Sequence, residues 1–477
     1  MNLIPDIDPK SVALISAEHS LTYSSYFAAI WDAAYKLQNR GIFSGDRVAI
    51  LSENQIAYPI IFFALIKLGA VAVPINTRFP EAQILDSLAK IDCSKIILSS
   101  DFSIYKFGDL ETISTDTLIS LDASDNYSLD TDFLTDYSNY DASIIFTSGS
   151  SGNPKAVLHT LGNHLYSAEG SNENIEYLLD DSWLVALPLY HVGGISILFR
   201  AILSGTTVIL SDANKSLIDN INQHKPTHVS LVSAQLTELI NDKNAVNVLQ
   251  KMKAILLGGS AVPQALIEKS HALNLKIYTT YGSTEMSSQV TTTAPGDSLD
   301  RLYTSGKLLN HREMKIADDG EILVRGDTLF RGYIENGMID PARDPEGFFH
   351  TDDIGKIDEF GCLNVVGRKD NMFISGGENI QPEEIEDALL KIEGVADAAV
   401  VPIPDAQYGF RPIAFIKLED SPFSIKELPG ILSEKIAKYK IPVAFIDYPK
   451  DMKQLGIKID RTELVKYALK YFANREA

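Results

Sequence analysis

The chain has 477 residues, which is more than one hydrophobic core holds, because single cores stop growing at about 250 to 300 residues. Its formal net charge of −21 argues against nucleic acid or an anionic membrane surface as the main partner. Cys93 and Cys362 are the only cysteines and form no metal-ligand spacing, so we expect a reducing cytoplasm. The first ten residues show no signal-peptide pattern.

Helices and strands alternate from the start of the chain. Apolar residues at helical spacing predict a helix over Ser24–Arg40, which Gly41 ends, and a strand over Asp46–Leu51. A helix over Ile84–Ala89 and a strand over Lys95–Leu98 repeat this order. The alternation predicts an α/β fold with a parallel-rich sheet flanked by helices. The acidic stretch 101–139 is expected to carry surface loops and edge strands.

One apolar segment is long enough to suggest a membrane span. Ile56–Val73 is interrupted by Pro59, Lys67 and Gly69. These breaks favour a buried helix followed by a short strand over a transmembrane helix.

The stretch Phe146–His159, FTSGSSGNPKAVLH, continues from an apolar run, Ser143–Phe146, that predicts a strand, and it then concentrates glycines and hydroxyls before Lys155. Such a run leaves backbone N–H groups free to point at an anion, and the lysine adds a positive charge. A flexible Gly/Ser linker is the alternative, but a linker needs neither the strand before it nor the Pro-Lys after it. The glycine spacing does not fit a P-loop. We predict a phosphate-binding loop made of Thr147, Ser148, Gly149, Ser150, Ser151, Gly152 and Lys155.

Three further apolar runs lead into glycines and polar residues. In an open α/β sheet, ligands bind outside the carboxyl ends of the strands, so we expect these residues to share one site with the phosphate-binding loop. Each could instead be a plain turn, and a lone histidine beside an aromatic is more often a core residue. The residues concerned are His191, Gly193, Gly258, Gly259, Ser260, Tyr281, Gly282, Ser283, Thr284 and Glu285.

Two arginines have competing interpretations. Arg200 falls among apolar residues in a helix predicted over Ile195–Leu203, where an arginine is usually paired or snorkelling but could face a substrate. Arg368 follows two strands joined by a predicted hairpin turn at Asp358–Gly361. Taken alone, it would be a surface ion pair.

The last hundred residues predict a second, smaller unit. Pro382 begins a helix that we expect to reach Ile392, because a proline and acidic residues favour a helix start. Strands over Ala398–Val401 and Pro412–Lys417 and a helix over Leu432–Tyr439 complete an α+β module. We place the domain boundary between residues 369 and 370. Near the end, Gly456–Arg461, GIKIDR, places Lys458 in a glycine-containing loop, where most lysines are merely solvated.

Together these motifs resemble the adenylate-forming enzymes, the superfamily of acyl-CoA synthetases, luciferases and nonribosomal adenylation domains. The family's phosphate loop reads Thr-Ser-Gly-Ser-Thr-Gly-x-Pro-Lys-Gly; here Ser151 replaces Thr and Ala156 replaces Gly. Its Thr-Gly-Asp-x-Gly motif reads Thr351–Gly355, TDDIG, so that Asp352 replaces Gly and leaves the local backbone shape open. The resemblance implies a large N-terminal domain, a small mobile C-terminal domain, Mg²⁺ as cofactor, and ATP, a carboxylic acid and coenzyme A as substrates.

The resemblance also implies roles for the matched residues. Those implied to bind the nucleotide are Thr147, Ser148, Gly149, Ser150, Ser151, Gly152, Lys155, Gly258, Gly259, Ser260, Tyr281, Gly282, Ser283, Thr284, Asp353 and Arg368. Those implied to flank the acid are His191, Gly193 and Gly259. Those implied to assist catalysis are Lys458, Thr284 and His191. Those implied to hold the metal are Glu285 and Thr147. Those implied to form the hinge and guide coenzyme A are Asp370, Gly376 and Gly377.

Within the superfamily, the segments 187–205, 367–386 and 456–461 most resemble the o-succinylbenzoate–CoA ligases of menaquinone biosynthesis. That acid has a second carboxylate, which needs a donor or a cation, and we expect Arg200 or His191 to serve it. Another acyl- or aryl-CoA synthetase is the alternative activity. An inactive ATP-binding protein is the alternative from another class, and the joint presence of four residues speaks against it, namely Lys155, Glu285, Asp353 and Lys458.

Two further points concern the class of adenylating enzyme and the oligomeric state. A nonribosomal adenylation domain is disfavoured, because no carrier domain follows Ala477. The sequence leaves the oligomeric state open, and a homo-oligomer is one arrangement that it allows.

Overall fold

The computed structural model describes residues 7–121, 131–136, 139–147, 154–375, 378–405, 408–419, 421–449 and 461–476. Its α-helices are Tyr23–Gln38, Ala57–Lys67, Glu81–Lys90, Asp132–Asp136, Leu161–Asn174, Val192–Ser204, Leu217–His224, Ser233–Leu239, Lys243–Leu249, Gln264–Ala272, Leu299–Leu302, Pro382–Leu390, Leu428–Ser433 and Arg461–Glu476.

Two large sheets form the N-terminal part of the molecule. The first has nine strands, of which six consecutive neighbours are parallel and the outer pairs are antiparallel. Its strands, in spatial order, are Lys307–Leu308, Ser288–Thr292, Ile277–Ser283, Ala254–Leu257, His228–Leu231, Ser182–Val185, Thr207–Leu210, Val12–Ile15 and Ser20–Thr22.

The second sheet has eight strands and a similar division. Its first four strands are antiparallel, and the remaining pairs are parallel. In spatial order they are Met338–Asp340, Gly332–Glu335, Lys155–Thr160, Asp141–Thr147, Val71–Pro74, Arg47–Leu51, Lys95–Leu98 and Glu111–Ser114.

A layer of helices lies between the two sheets and makes the largest core. Side chains of Tyr23–Gln38, Ala57–Lys67, Leu161–Asn174 and Val192–Ser204 pack in one cluster with residues of both sheets. The outer face of each sheet is covered by other helices, with a separate core beneath them. The strands are therefore buried on both faces, which explains their continuous apolar runs.

Two smaller sheets complete the molecule. An antiparallel sheet of four strands consists of Arg312–Ile316, Glu321–Gly326, Phe349–Ile357 and Leu363–Arg368. The C-terminal sheet consists of Glu378–Ile380, Phe373–Ser375, Gly409–Leu418 and Val395–Asp405, with Ala444–Asp447 paired in parallel to Gly409–Leu418. Helices cover both of its faces.

The predicted fold class is confirmed, and most predicted elements are present. The segment Ile56–Val73 divides into a buried helix, Ala57–Lys67, and a strand, Val71–Pro74. Across the described residues, the model contains no helix with the length and apolarity to span a membrane. The strand Glu111–Ser114 lies at the edge of its sheet, as predicted for the acidic stretch.

Three elements differ from the predictions. The helix predicted over Leu432–Tyr439 is wrong, because Ala437 has extended backbone and separates Leu428–Ser433 from a 3₁₀ turn at Lys438–Lys440. Gly193 and Gly194 lie inside the first turn of Val192–Ser204 rather than before the helix. The final helix, Arg461–Glu476, was not predicted; it buries Leu464 and Ala468 against the C-terminal sheet.

Candidate active site

The predicted phosphate-binding loop lies at one end of a hairpin in the second sheet. Strands Asp141–Thr147 and Lys155–Thr160 are antiparallel, and Thr147 pairs opposite Lys155. Thr147 is half-buried and Lys155 is exposed. Ser148, Gly149, Ser150, Ser151 and Gly152 fall outside the described residues, so the structure fixes the two ends of the loop only.

The turn that carries Thr284 and Glu285 is held directly beside this hairpin. His159 Nε2 donates a hydrogen bond to the Thr284 carbonyl over 2.7 Å. Burial lowers the pKa of His159 to about 4, so this imidazole is neutral near pH 7 and carries one N–H. The backbone N–H of Phe330 donates to the Glu285 carbonyl over 2.7 Å. The turn is thus fixed from two sides, which sets the direction of its side chains.

Glu285 and Lys155 are joined by a tyrosine that the motif reading missed. Tyr333 Oη donates to Glu285 Oε1 over 2.8 Å, and Lys155 Nζ lies 4.9 Å from the centre of the Tyr333 ring. Tyr333 lies on strand Gly332–Glu335, which pairs with the strand of Lys155. The predicted metal ligand and the predicted phosphate-binding lysine therefore belong to one cluster.

A second cluster contains Tyr281, Asp353 and Arg368. Tyr281 Oη donates to Asp353 Oδ2 over 2.7 Å, and Arg368 Nη1 lies 3.2 Å from Asp353 Oδ1. Burial and the neighbouring carboxylate of Asp353 raise the pKa of Tyr281 well above its usual range. Asp353 and Arg368 face each other across neighbouring strands. Tyr281 belongs to the strand that runs into the Glu285 turn, so the two clusters lie at the same strand end.

Asp352 settles a backbone question that the sequence left open. Its φ of +58° is in the left-handed region, which glycine adopts at little cost and other residues avoid. The side chain is exposed, with a carboxylate oxygen 3.8 Å from Arg368 Nη2. The backbone N–H donates to Glu321 Oε1 over 3.0 Å. Asp352 therefore has a backbone conformation that favours glycine, and Asp353 keeps the contact with Arg368.

Steric contacts explain the glycines at the ends of these strands. A Cβ on Gly258 would lie 2.8 Å from Thr280 Cγ2, and one on Gly282 would lie 2.0 Å from the Ser288 carbonyl oxygen. Gly259 has a φ of +87°, and Ser260 after it is exposed. Side chains at Gly258 and Gly282 would therefore clash with the neighbouring strands.

His191 and Gly193 stand at the start of helix Val192–Ser204. His191 is the residue before the helix, with extended backbone, and its half-buried ring lies 4.7 Å from that of Tyr190. A Cβ on Gly193 would lie 3.2 Å from Leu187 Cδ1, and one on Gly194 would lie 2.3 Å from the Pro188 carbonyl oxygen. The glycines therefore let the helix start pack on the loop 187–189.

Arg200 is in the core rather than on the surface. Its side chain is 1% exposed, and Nη2 donates to Gln289 Oε1 over 2.5 Å. The guanidinium lies 4.9 Å from the Trp183 ring centre, and burial lowers the pKa of Arg200 to about 10. Nε and Nη1 have no hydrogen-bond partner within the described part of the chain. Because the whole side chain is buried, the snorkelling interpretation is wrong. A buried charge without a carboxylate partner is also costly.

The junction with the C-terminal sheet is built around Arg368. Arg368 Nε and Nη2 bond both oxygens of Asp370 at 3.0 and 3.1 Å, and Gln381 Nε2 donates to the Arg368 carbonyl over 2.9 Å. The predicted surface ion pair is therefore present with Asp370, and the contact with Asp353 is added to it. Gly376, Gly377 and Lys458 fall outside the described residues.

The described residues suit a cation held mainly by a nucleotide. They contain no group of three His, Cys, Asp or Glu side chains that could bind a metal ion by themselves. Mg²⁺ is commonly held by one or two carboxylates together with substrate phosphates. The Tyr333 hydrogen bond uses Glu285 Oε1 and leaves the second carboxylate oxygen for a cation, so the donor set fits Mg²⁺ carried by ATP.

Comparison with known protein families identifies the family of this chain. The family model described as AMP-binding enzyme matches residues 6–334, and the model described as AMP-binding enzyme C-terminal domain matches residues 384–452. This chain belongs to the AMP-binding enzyme family. The predicted resemblance to the adenylate-forming enzymes is thereby confirmed.

Two relatives of this AMP-binding enzyme carry the same activity name. The 2-succinylbenzoate–CoA ligase of Bacillus subtilis (strain 168) is 32% identical over 470 residues, which cover 96% of this chain and 95% of the relative. The 2-succinylbenzoate–CoA ligase of Oceanobacillus iheyensis is 35% identical over 454 residues, 92% of each chain. Both alignments extend over nearly all of each protein.

Solved structures give the same family. The o-succinylbenzoate CoA synthetase (MenE) from Bacillus subtilis, in complex with the acyl-adenylate intermediate OSB-AMP, is 31% identical with a TM-score of 0.83, covering 96% of this chain and 95% of that one. The same enzyme in complex with ATP and magnesium ion also gives 0.83, covering 96% and 97%. An ATP-bound RpMatB-BxBclM chimera gives 0.84 over 98% and 97% at 23% identity, a likeness of fold alone. The fold therefore does not choose the acid.

Proposed function

We propose that this AMP-binding enzyme is an ATP-dependent o-succinylbenzoate–CoA ligase of menaquinone biosynthesis. The observation that carries the proposal is full-length similarity to 2-succinylbenzoate–CoA ligases at 32% and 35% identity. Two side-chain clusters at one strand end support it, because they supply the groups that adenylation requires.

The first half-reaction joins the acid to AMP. A carboxylate oxygen of the acid attacks the α-phosphorus of ATP, the bond to the bridging oxygen breaks, and pyrophosphate leaves with the electron pair. Two anions must meet, so the barrier is chiefly electrostatic and positional. Lys155 and the loop after Thr147 would hold phosphate oxygens, and Lys458 would bridge the attacking carboxylate and the α-phosphate. Magnesium supplies charge neutralisation on the phosphates, and Glu285 with Thr147 would hold it.

The adenosine half of ATP would bind the second cluster. Asp353 is the carboxylate proposed to accept hydrogen bonds from both ribose hydroxyls, and Arg368 stands beside it at 3.2 Å. Tyr281 gives a flat face for the adenine, and its hydroxyl fixes the Asp353 carboxylate over 2.7 Å. Gly258, Gly259 and Ser260 would border the adenine and the acid.

Arg200 is our proposed partner for the acid's second carboxylate, directly or through water. Its guanidinium is buried and lacks an acidic partner among the described residues, while two of its nitrogens have no acceptor. The second carboxylate of o-succinylbenzoate would supply both an opposite charge and hydrogen-bond acceptors. A fatty acid has no second carboxylate and would supply neither. His191 is the alternative group, since it stands at the start of the helix that carries Arg200.

The second half-reaction would transfer the acyl group to coenzyme A. The thiol sulfur bonds to the carbonyl carbon, the bond from that carbon to the phosphate oxygen breaks, AMP leaves with the electron pair, and the thiol proton passes to solvent. We propose that the C-terminal domain, residues 370–477, turns about Asp370, withdraws Lys458 and brings Gly376 and Gly377 to the site. A cytoplasmic setting completes the proposal and agrees with the free, buried thiols of Cys93 and Cys362.

An acid panel tests the proposal. Purified protein with ATP, Mg²⁺ and one candidate acid is assayed for pyrophosphate release, and coenzyme A is then added and the thioester identified by mass spectrometry. We expect release and thioester with o-succinylbenzoate, and little with benzoate or with long-chain fatty acids. Release with fatty acids alone would replace the assigned acid. If none of the acids stimulates pyrophosphate release, an inactive ATP-binding protein would be favoured.

A further inference from the structure

Tyr333 contacts both of the charged groups that are proposed to handle the phosphates. Its hydroxyl donates to Glu285 Oε1 over 2.8 Å, and the Lys155 ammonium lies 4.9 Å from the centre of its ring. The hydroxyl thus contacts an anion while the ring contacts a cation. Aromatic faces attract ammonium groups, and a hydrogen bond to a charged group is stronger than one between neutral groups.

Aromatic contacts and strand pairing hold the Tyr333 ring in place. It packs edge to face on Phe330 at 4.8 Å and contacts Phe349 at 6.3 Å between ring centres. Its backbone pairs with Val157 on one side and Asp340 on the other. Because both neighbouring strands fix its position, Tyr333 is a rigid support for the Glu285 carboxylate.

We propose that Tyr333 is a positioning residue, which directs the Glu285 carboxylate toward the cation of Mg·ATP and holds the Lys155 ammonium beside the phosphates. This inference rests on the proposed ATP-dependent activity. Residues that orient a metal ligand usually affect metal affinity about 10- to 100-fold when they are replaced. A tyrosine that served only as a core aromatic would be replaced by phenylalanine without such an effect, since the ring would remain.

The test separates the hydroxyl from the ring. Binding of α,β-methylene-ATP is measured by calorimetry with and without Mg²⁺, for wild type, Tyr333→Phe and Tyr333→Leu. We expect Tyr333→Phe to bind the metal-free nucleotide as wild type does and to weaken the Mg²⁺-dependent gain about 10-fold. Tyr333→Leu, which also loses the ring face beneath Lys155, should weaken binding of the metal-free nucleotide as well.

Tyr303→Phe is the matched control. Tyr303 Oη donates to Glu268 Oε1 over 3.0 Å, which is again a tyrosine–glutamate pair, but an exposed one away from the two clusters. This variant should bind the nucleotide as wild type does, with and without Mg²⁺. Thermal midpoints of all variants are compared, and a Tyr333→Phe midpoint close to wild type shows that the effect is not loss of folding.

Three outcomes are decisive. An unchanged Mg²⁺-dependent gain in Tyr333→Phe would overturn the inference, and so would an equal loss of metal-free and metal-bound affinity. A selective loss of the Mg²⁺-dependent gain supports it. The proposed ligase activity fails separately, if wild type binds Mg·ATP but releases no pyrophosphate with any acid, and the binding comparison then still decides the role of Tyr333.

Discussion

Arg461 anchors the start of the last helix, and its removal should act on catalysis through Lys458. Arg461 Nη1 bonds Glu386 Oε1 at 2.5 Å, and Nη2 bonds Glu386 Oε2 at 2.9 Å and Glu383 Oε1 at 3.1 Å. Nη1 also donates to the Val400 carbonyl over 2.6 Å. Lys458 is three residues earlier, so its Cα lies within about 11 Å of the Arg461 Cα.

The expected size of the effect follows from burial. The Glu386 side chain is only 9% exposed, and Arg461→Met would leave it without its cationic partner. Breaking a buried pair in this way costs roughly 3 kcal/mol, which is enough to free the helix start. The preceding loop would then hold Lys458 less often at the α-phosphate. We expect adenylation to slow about 10-fold or more, but by less than Lys458→Ala slows it.

A double-mutant cycle provides the assay. Pyrophosphate release is measured for Arg461→Met, Lys458→Ala and the double variant. If Arg461 acts by positioning Lys458, its replacement should change little once the lysine is gone. Full additivity of the two losses would refute this reasoning. Glu386→Gln combined with Arg461→Met is the folding control, because it removes both charges and should recover most of the lost stability.

Three further predictions test other parts of the chain. Lys458→Ala should slow adenylation by about 10² to 10³ and leave thioester formation from preformed adenylate largely intact; equal loss in both steps would give the lysine another role. Asp352→Ala should lower stability by about 1 kcal/mol because φ is +58°, while Asp352→Gly should keep the fold, as thermal unfolding would show; equal midpoints for the two variants would contradict the strain. Burial lowers the pKa of His159 to about 4, so its contribution is present above about pH 6.5 and is lost as pH falls toward 4, by up to about 3 kcal/mol. The thermal midpoint of His159→Gln should therefore fall less steeply than wild type across that range, and identical slopes would count against it.

Strand ends were the most predictable feature of the site. Ala254–Leu257 forms over the predicted residues, and the runs that precede Glu285 and that end at Phe146 also became strands. An apolar run that ends abruptly in glycine carries its boundary in the sequence, since burial and steric contact change at the same residue. The topology of parallel strands then brings such ends to one edge of a sheet.

Contacts made across long stretches of sequence were not predictable. Tyr333 has no motif of its own, and its partner Glu285 is far away along the chain. Arg200 looked like a snorkelling side chain because its helix is apolar, yet the helix lies between two sheets and has no exposed face at that position. The helix Arg461–Glu476 was missed because its apolar residues do not mark a single buried face: Leu464 and Ala468 are buried, but Tyr467 and Leu469 are exposed.

Electrostatic balance gives a reason why the proposed adenylation would need both a metal cation and Lys458. The described charged side chains of the two clusters are two cations and four carboxylates, namely Lys155, Arg368, Glu285, Asp352, Asp353 and Asp370. Added to a triphosphate and a carboxylate substrate, they leave a strongly negative site inside a protein of net charge −21. Magnesium would offset part of that charge, and Lys458, in its proposed role, would add a positive charge when it reaches the α-phosphate. Adenylation would then be fast only in that arrangement, because two anions can meet only where cations offset their repulsion.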